Sequence, residues 1–174
     1  MRSFCAMLLI TAALISLAAD DAPEWTEFAS KEGHFKVLMP GKPEQKKLEA
    51  EMGDFGKGML HMNTFESDKM MYGANYCDFP AKIKDFPRKR VYDSSRDGAV
   101  ENLKGKLADE KDIKLGDHPG REILIDVAGG KRLFRARVYL VEQRLYQVVV
   151  FGSKEAATSK AADKFLDSFK LTEK

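Results

Sequence analysis

The residues that could bind a metal ion are three histidines and a short methionine-rich segment. His34, His61 and His118 show no His-x-x-x-His spacing, and the chain has no Cys-x-x-Cys pair; zinc sites usually need such sets. The Met59-His61-Met62 cluster could hold Cu(I), because thioethers select that soft ion. In a strand, however, Met59 and His61 point to one side and Met62 to the other. We therefore interpret these methionines as adaptable core residues.

Cys77 is the candidate cysteine nucleophile. The sequence contains two cysteines, and Cys5 lies in an N-terminal segment that we expect to be removed. No internal disulfide can then form. Cys77 could act beside a histidine, but its apolar strand, with Tyr76 and Phe79 close by, predicts a buried thiol.

Two other patterns resemble catalytic or phosphate-binding motifs. Ser94 and Ser95 lie close to Asp93 and Asp97, but the Gly-x-Ser-x-Gly elbow is missing. Capping of a helix by Asp93 or Ser94 explains this segment. Gly129-Gly130 precedes a strand, whereas a phosphate loop leads into a helix, so a hairpin turn is predicted. The sequence predicts no catalytic set, no cofactor and no metal site.

The charges are nearly balanced, with 29 Lys and Arg against 27 Asp and Glu. This balance argues against nucleic acid or an anionic membrane surface as a constant partner. One basic run could dock an acidic partner or a lipid, although we favour a solvated loop. The run consists of Lys82, Lys84, Arg88, Lys89 and Arg90, interrupted by Asp85. Elsewhere we expect Arg135 and Arg137 to find partners in Glu122 and Asp126.

The start of the chain predicts export. Arg2 precedes an uncharged, largely apolar run, Ser3–Ala19, and acidic residues follow. A basic start, a short apolar core and small residues at the exit are typical of a secretory signal peptide. We expect cleavage after Ala18 or Ala19, with an uncleaved membrane anchor as the alternative. The mature protein would be periplasmic or extracellular.

The clearest structural signal is an antiparallel meander from Gly120 to Phe151. A two-residue Gly-Gly turn would place Ile125 opposite Phe134 on one face. The same register places Glu122 opposite Arg137 on the other face, an opposite-charge pairing that supports strands. A one-residue slip would lose both patterns.

The second turn of the meander, Glu142-Gln143, leaves two registers open. A two-residue turn pairs Leu140 with Leu145, and a three-residue turn pairs Leu140 with Tyr146. The strand Leu145–Phe151 is apolar on both faces, which is typical of a central strand covered on both sides. Each face of the sheet therefore needs a cover.

The remaining segments complete a single α+β domain over residues 23–172, with an antiparallel sheet of about seven strands covered by helices. The helices are expected to be amphipathic, with apolar residues at 3.6-residue spacing. Residues Ala81–Arg90 are expected to be an irregular link. The predicted strands are His34–Met39, Glu44–Met52 at an edge, Gly58–Phe65 and Met70–Phe79; the predicted helices are Ser94–Leu107 and Lys154–Ser168, the latter capped by Ser153.

One recurrent pattern runs through nearly the whole mature chain. It consists of Trp25 and Phe28, then Gly33-His-Phe-Lys-Val-Leu-Met-Pro-Gly-Lys-Pro43, Gly120-Arg-Glu, Arg144-Leu-Tyr-Gln and Phe165-Leu-Asp-Ser-Phe-Lys-Leu171. It resembles small exported bacterial proteins of unassigned function with a PsbP-like α/β/α sandwich, the fold of the extrinsic photosystem protein PsbP and of a nuclear-import factor that binds Ran. Members of this fold mostly act as binding or assembly modules, so the resemblance implies such a role and defines no catalytic residues.

Two functions are compatible with the sequence. The first is a non-catalytic extracytoplasmic binding or assembly module, with a protein partner in the cell envelope. The alternative is an enzyme or a small-ligand or metal carrier, whose pocket would be assembled from residues far apart in the chain.

Overall fold

The computed structural model describes residues 24–52, 55–80, 83 and 86–173. The predicted signal peptide, residues 1–19, lies outside the described residues. Among the described residues, no helix is long and apolar enough to cross a membrane. The strands are β1 (Thr26–Ser30), β2 (Phe35–Met39), β3 (Glu44–Glu51), β4 (Lys57–Glu66), β5 (Met70–Asp78), β6 (Lys106–Leu115), β7 (His118–Val127), β8 (Arg132–Val141), β9 (Arg144–Ser153) and β10 (Lys170–Leu171), and the helices are α1 (Arg88–Leu103), α2 (Lys154–Ala157) and α3 (Lys160–Ser168).

Seven strands form the main sheet, in the order β3-β4-β5-β9-β8-β7-β6. All neighbours in it are antiparallel. The strand that is apolar on both faces, β9, occupies the centre, as predicted. The charged strand β3 lies at one edge, also as predicted, where charged side chains discourage pairing with another chain.

The predicted registers of the meander are confirmed. Ile125 lies opposite Phe134 and Glu122 opposite Arg137. Strand pairing stops at Val127 and Arg132, so the connection is longer than the predicted two-residue turn; three of its residues, Ala128, Gly129 and Gly130, have positive φ. The second turn has two residues, since Leu140 pairs with Leu145.

One face of the main sheet is covered by a second, three-stranded sheet, in the order β1-β2-β10, together with α3. Phe35, Val37 and Met39 point inward from β2 and are fully buried. They meet β5 of the main sheet, where Met70 and Tyr72 are buried in the same cluster. The prediction of a sheet covered by helices holds in part on this face, because α3 lies there together with the sheet that β1, β2 and β10 form.

The opposite face is covered by α1 over β7, β8 and β9. Tyr92 fixes this packing because its hydroxyl donates to the carbonyl oxygen of Pro119 at 2.7 Å and accepts from the amide of Leu140 at 3.1 Å. The part of this face formed by β3, β4 and β5 is more open. There Leu48 is 42% exposed, and Met62 and Met71 are partly exposed.

Helix α1 lies earlier in the chain than predicted. It begins directly after Pro87, which has φ −58° and no side-chain capping bond, so neither Asp93 nor Ser94 caps it. It ends before Lys104, whose φ is +48°. At Gly105 an added Cβ would lie 2.4 Å from Ile125 Cγ2, so the chain passes close to β7 directly after the helix has ended. Leu107, which was placed in the helix, lies in β6.

The basic link was also predicted wrongly in part. Arg88, Lys89 and Arg90 form the first turn of α1, whereas Ala81, Lys82, Lys84 and Asp85 lie outside the described residues. Lys89 lies four residues before Asp93, so the two side chains meet on one side of the helix. They form an ion pair at 2.6 Å. Lys89, one of the basic residues that could dock an acidic partner, is therefore paired within the helix.

The predicted C-terminal helix is divided into α2 and α3. Ser153 caps α2 as predicted, and Ser159 caps α3 by accepting from the amide of Ala162. Between them the Thr158 hydroxyl donates to the carbonyl oxygen of Lys154 at 2.9 Å. Such local bonds compete with the helical ladder. Ala162, near the start of α3, is fully buried.

Candidate functional site

The structure keeps the three histidines in separate surroundings. His61 is buried in β4, while His34 and His118 are partly exposed at a turn and at the start of β7. Within the described ranges, no group of three or more His, Cys, Asp or Glu residues could hold a metal ion. The interpretation of the clustered methionines as core residues is wrong for Met59, which is exposed, and Met62 is only partly buried.

Cys77 is a buried thiol, as expected from its strand. Burial raises its pKa to about 12, so the reactive thiolate is disfavoured near neutral pH. Its Sγ lies 3.6 Å from Met52 Sδ. An added Cβ at Gly58 would lie 2.9 Å from the thiol, which shows how tightly the sulfur is enclosed.

The candidate serine and aspartate residues lie in α1. Asp93 accepts from Lys89 and from Arg121 at 2.7 Å, and these hydrogen bonds hold the pKa of its carboxyl below the ordinary value, against the effect of burial. Ser95 accepts from Gln147 of β9 at 3.3 Å. Asp93 and Ser95 therefore attach α1 to the sheet, whereas Asp97 accepts from Arg96 of the same helix.

Arg135 and Arg137 meet a buried carboxylate, Glu122, which is 2% exposed. Arg137 Nε donates to it at 2.7 Å, and Arg135 lies at 3.3 Å. Burial alone would raise the pKa of Glu122, but hydrogen bonds from Arg137 and Lys111 and the nearby Arg135 charge lower it overall. The predicted partner Asp126 instead lies 3.7 Å from Lys154 Nζ.

The same two arginines extend to the covering helix. Arg135 Nη1 donates to Asp163 and Arg137 Nη1 to Asp167, both at 2.7 Å. The ion pairs therefore join α3 to the main sheet, a structural role that sequence order could not reveal.

The described part of the chain also assembles a titratable cluster that the sequence analysis missed. It lies where the turn between β1 and β2 meets strands β3, β4, β5 and β9. We call it the His61 cluster; its members are Glu32, Lys47, His61, Tyr76, Asp78 and Arg144.

His61 and Tyr76 form the centre of this cluster. They are opposite each other in the β4–β5 pair, their rings stack with centroids 4.2 Å apart, and Tyr76 Oη lies 2.8 Å from His61 Nδ1. Burial raises the pKa of Tyr76 to about 12, so its hydroxyl stays protonated. It donates to Nδ1 or accepts from it, according to which ring nitrogen of His61 carries the proton. In either tautomer this hydrogen bond occupies Nδ1 of His61.

Arg144 joins the centre to the turn. Its guanidinium lies 4.4 Å from the Tyr76 ring centroid and binds Asp78 through two hydrogen bonds of 2.6 and 2.7 Å. Its Nη1 also donates to the backbone carbonyl of Glu32 at 2.7 Å. Bidentate pairs of this kind are geometrically specific, so Arg144 fixes where the turn lies.

Glu32 completes the cluster from the exposed side. Lys47 Nζ donates to both of its carboxylate oxygens, at 2.8 and 2.9 Å. This hydrogen bond holds the pKa of Glu32 below its ordinary value. The carboxylate also lies 3.7 Å from His61 Nδ1, and a cavity of about 40 Å³ lies beside these groups. Chemically, His61 is the member of the cluster whose ordinary pKa lies closest to neutral, and burial lowers that pKa.

A larger concavity lies at the other end of the main sheet. This hairpin groove, as we name it, has a volume of about 960 Å³ and runs between the β4–β5 turn and the α2–α3 junction. Met70 and Tyr72 supply apolar lining, and Lys69 and Arg132 supply positive charge. Arg132 stacks over Phe151 with 3.8 Å between its Cζ and the ring centroid, which holds the guanidinium in place.

The fold agrees with that of a known protein. Neither a family model nor a curated protein matches the chain. Among solved structures, it is similar to the solution structure of cyanobacterial PsbP from Synechocystis, with a TM-score of 0.60 and 8% sequence identity. The match covers 94% of this chain and 98% of that chain. At this identity the likeness shows the fold alone, and the fold is PsbP-like.

Proposed function

We propose that this PsbP-like chain is a non-catalytic binding or assembly module that acts outside the cytoplasm on a protein partner in the cell envelope. The proposal rests on the PsbP-like fold and on the contacts that the polar side chains make within the protein. Because one fold hosts many functions, the use of the polar groups carries more weight than the fold.

The observation that carries the proposal is that the groups best suited to catalysis are engaged in holding elements together. Cys77 is enclosed and protonated, and Nδ1 of His61 is occupied by its hydrogen bond with Tyr76. Glu122 binds two arginines that also reach α3, and Asp93 attaches α1 to the sheet. A function exercised through the surface is consistent with this arrangement.

We place the partner contact at the hairpin groove, and a photo-crosslinking amino acid at position 69 tests this. Lys69 lines the groove, whereas Asp117 is an exposed residue of the β6–β7 turn and serves as the matched control. In intact cells, position 69 should form one discrete protein adduct that position 117 does not form. Equal labelling from both positions would contradict the proposed contact.

A small-ligand carrier is the second candidate, because the groove volume of about 960 Å³ lies within the range of about 300–1,000 Å³ that is usual for ligand sites. Two results together would favour the carrier function over the assembly function. Position 69 would form no protein adduct, and a small molecule from envelope extract would raise the melting temperature of the wild type but not that of an Arg132→Glu variant.

Export is part of the same proposal, with residues 1–19 as a cleaved signal and residues 23–172 as one domain. N-terminal sequencing of the protein recovered from the producing cells tests this. A mature chain that begins at position 19 or 20 supports the proposal, and one that still begins at Met1 contradicts it.

A further inference from the structure

Strand β3 has an outer edge that no strand in the described part of the chain pairs with. Its inner edge pairs with β4 over eight residues, and β3 ends the strand order of the main sheet. An edge of this length presents a row of backbone N–H and C=O groups to which another strand can add. The side chains and the symmetry of such an addition decide which strand fits.

The side chains of β3 alternate between the two faces of the sheet. Leu48 lies on the face that α1 covers farther along, where it is 42% exposed and stands opposite the partly buried Leu60 of β4. Lys47 and Glu49 lie on the other face, and both are exposed. An apolar residue at the middle of the edge is thus flanked by one cation and one anion.

Symmetry restricts how β3 can pair with β3 of a second copy. Antiparallel pairing of identical edges requires a two-fold axis perpendicular to the sheet, and this axis keeps each face of the sheet on its own side. One register that it allows puts Leu48 opposite Leu48 of the second copy. With Leu60 of each copy beside them, four leucines then form one row across four adjacent strands.

The charges of β3 select this register. It sets Lys47 opposite Glu49 of the second copy and Glu49 opposite Lys47, so an opposite-charge pair forms twice. A shift of two residues in one direction puts Lys47 against Lys47, and a shift in the other direction puts Glu49 against Glu49. Like charges directly opposite each other are destabilising. The charged edge therefore disfavours these neighbouring registers and favours the one centred on Leu48.

The ion pairs within each copy are compatible with this register. Lys47 donates two hydrogen bonds to Glu32, and an ammonium group has a third N–H to donate. Glu49 is paired with Lys57 at 3.3 Å. Across the junction the order is Glu32 and Lys47 of one copy, then Glu49 and Lys57 of the other, so the signs alternate. Exposed pairs of this kind supply specificity more than affinity.

We propose that the outer edge of β3 is a self-association surface, through which two copies pair antiparallel about Leu48 and join their main sheets into one. Self-association is a property in addition to the proposed binding function, and it does not depend on which envelope partner is bound. The hairpin groove is lined by other segments, so each dimer would present two grooves.

The first experiment exchanges the charges and measures association by sedimentation velocity. The wild type should show a concentration-dependent dimer. Lys47→Glu and Glu49→Lys each place like charges opposite each other at both positions, so each variant alone should associate about tenfold more weakly or less. An equimolar mixture of the two variants restores opposite charges at both positions and should associate about as tightly as the wild type. A wild type that stays monomeric over its whole soluble range overturns the proposal, as does a mixture that associates no better than its components.

The second experiment tests the register with Leu48→Cys. Directly opposite residues have Cβ atoms about 4.5–5.5 Å apart, so a thiol crosslinker of matching length should join two copies at position 48. The matched control is Leu107→Cys, because Leu107 is 44% exposed in β6 at the opposite edge of the sheet, and the buried Cys77 is common to both variants. Adding Lys47→Glu to Leu48→Cys should reduce the crosslinked fraction. Equal crosslinking at positions 48 and 107, or none at position 48, would show that the copies do not pair about Leu48.

Discussion

Replacing Phe165 by alanine tests whether the layer formed by α3 and the three-stranded sheet is part of the core. The Phe165 ring is fully buried and meets Tyr72 of the main sheet edge to face, with centroids 5.3 Å apart. Truncation of a buried phenylalanine to alanine costs about 3–5 kcal/mol. A domain of this kind has a total stability of about 5–15 kcal/mol, so the variant should fold but be much less stable.

The single tryptophan provides a local probe. Trp25 contacts Tyr72 with centroids 5.8 Å apart, and Lys164 of α3 lies over its ring. Urea unfolding should be followed both by Trp25 fluorescence and by far-UV circular dichroism, which reports mainly on the sheets. With a slope of about 2 kcal/mol per molar urea, the midpoint should fall by about 2 M, and the two signals should change together.

The matched control is Phe134→Ala on the opposite face. Phe134 is only partly buried, and its ring meets Phe151 at a centroid distance of 6.4 Å, so the expected loss is smaller, about 1–2 kcal/mol. A loss below about 1 kcal/mol for Phe165→Ala would refute the reasoning. So would a fluorescence transition well separated from the dichroism transition, because the covering layer would then unfold independently.

Two further predictions concern the same layer and its ion pairs. Truncation after Thr158 removes α3 and β10 and should leave an unfolded or aggregated chain; a cooperative melt close to that of the full-length protein would contradict the two-sided architecture. Glu122→Gln should lower the free energy of unfolding by about 1–3 kcal/mol at pH 7. The loss should be smaller than for an isolated buried ion pair, because Arg135 still pairs with Asp163 and Arg137 still pairs with Asp167. Since the pKa of Glu122 is held below 4.5, the difference from the wild type should shrink as the pH falls below that value, and a difference that grows in acid would contradict the assignment.

Local patterns in the sequence determined the parts of the fold that depend on neighbouring residues. The Gly-Gly turn and the alternation on its two sides were enough to pair Ile125 with Phe134 and Glu122 with Arg137. The doubly apolar strand β9 was recognised as central for the same reason. In each case the side-chain period of two reports which face is buried, and a slip would expose that face.

The strand β6 shows where local patterns fail. Lys106–Leu115 is rich in charge, and Leu107 at its start was assigned to a helix. It forms a strand because it pairs with β7 along one edge. Its charged side chains are hydrated by solvent. A bulge between Leu107 and Asp109 also disturbs the alternation that would have identified it.

The covering sheet and the His61 cluster were decided only by the tertiary structure. β10 pairs with β2 although Lys170 and Lys36 are far apart in the chain. His61, Glu32 and Arg144 likewise come from three distant segments. Such contacts depend on how all the layers close over one core, and no periodicity within a short window encodes them. The sequence alone therefore determined which faces of its strands are buried, and the folded chain decided which charged and titratable groups meet at their ends.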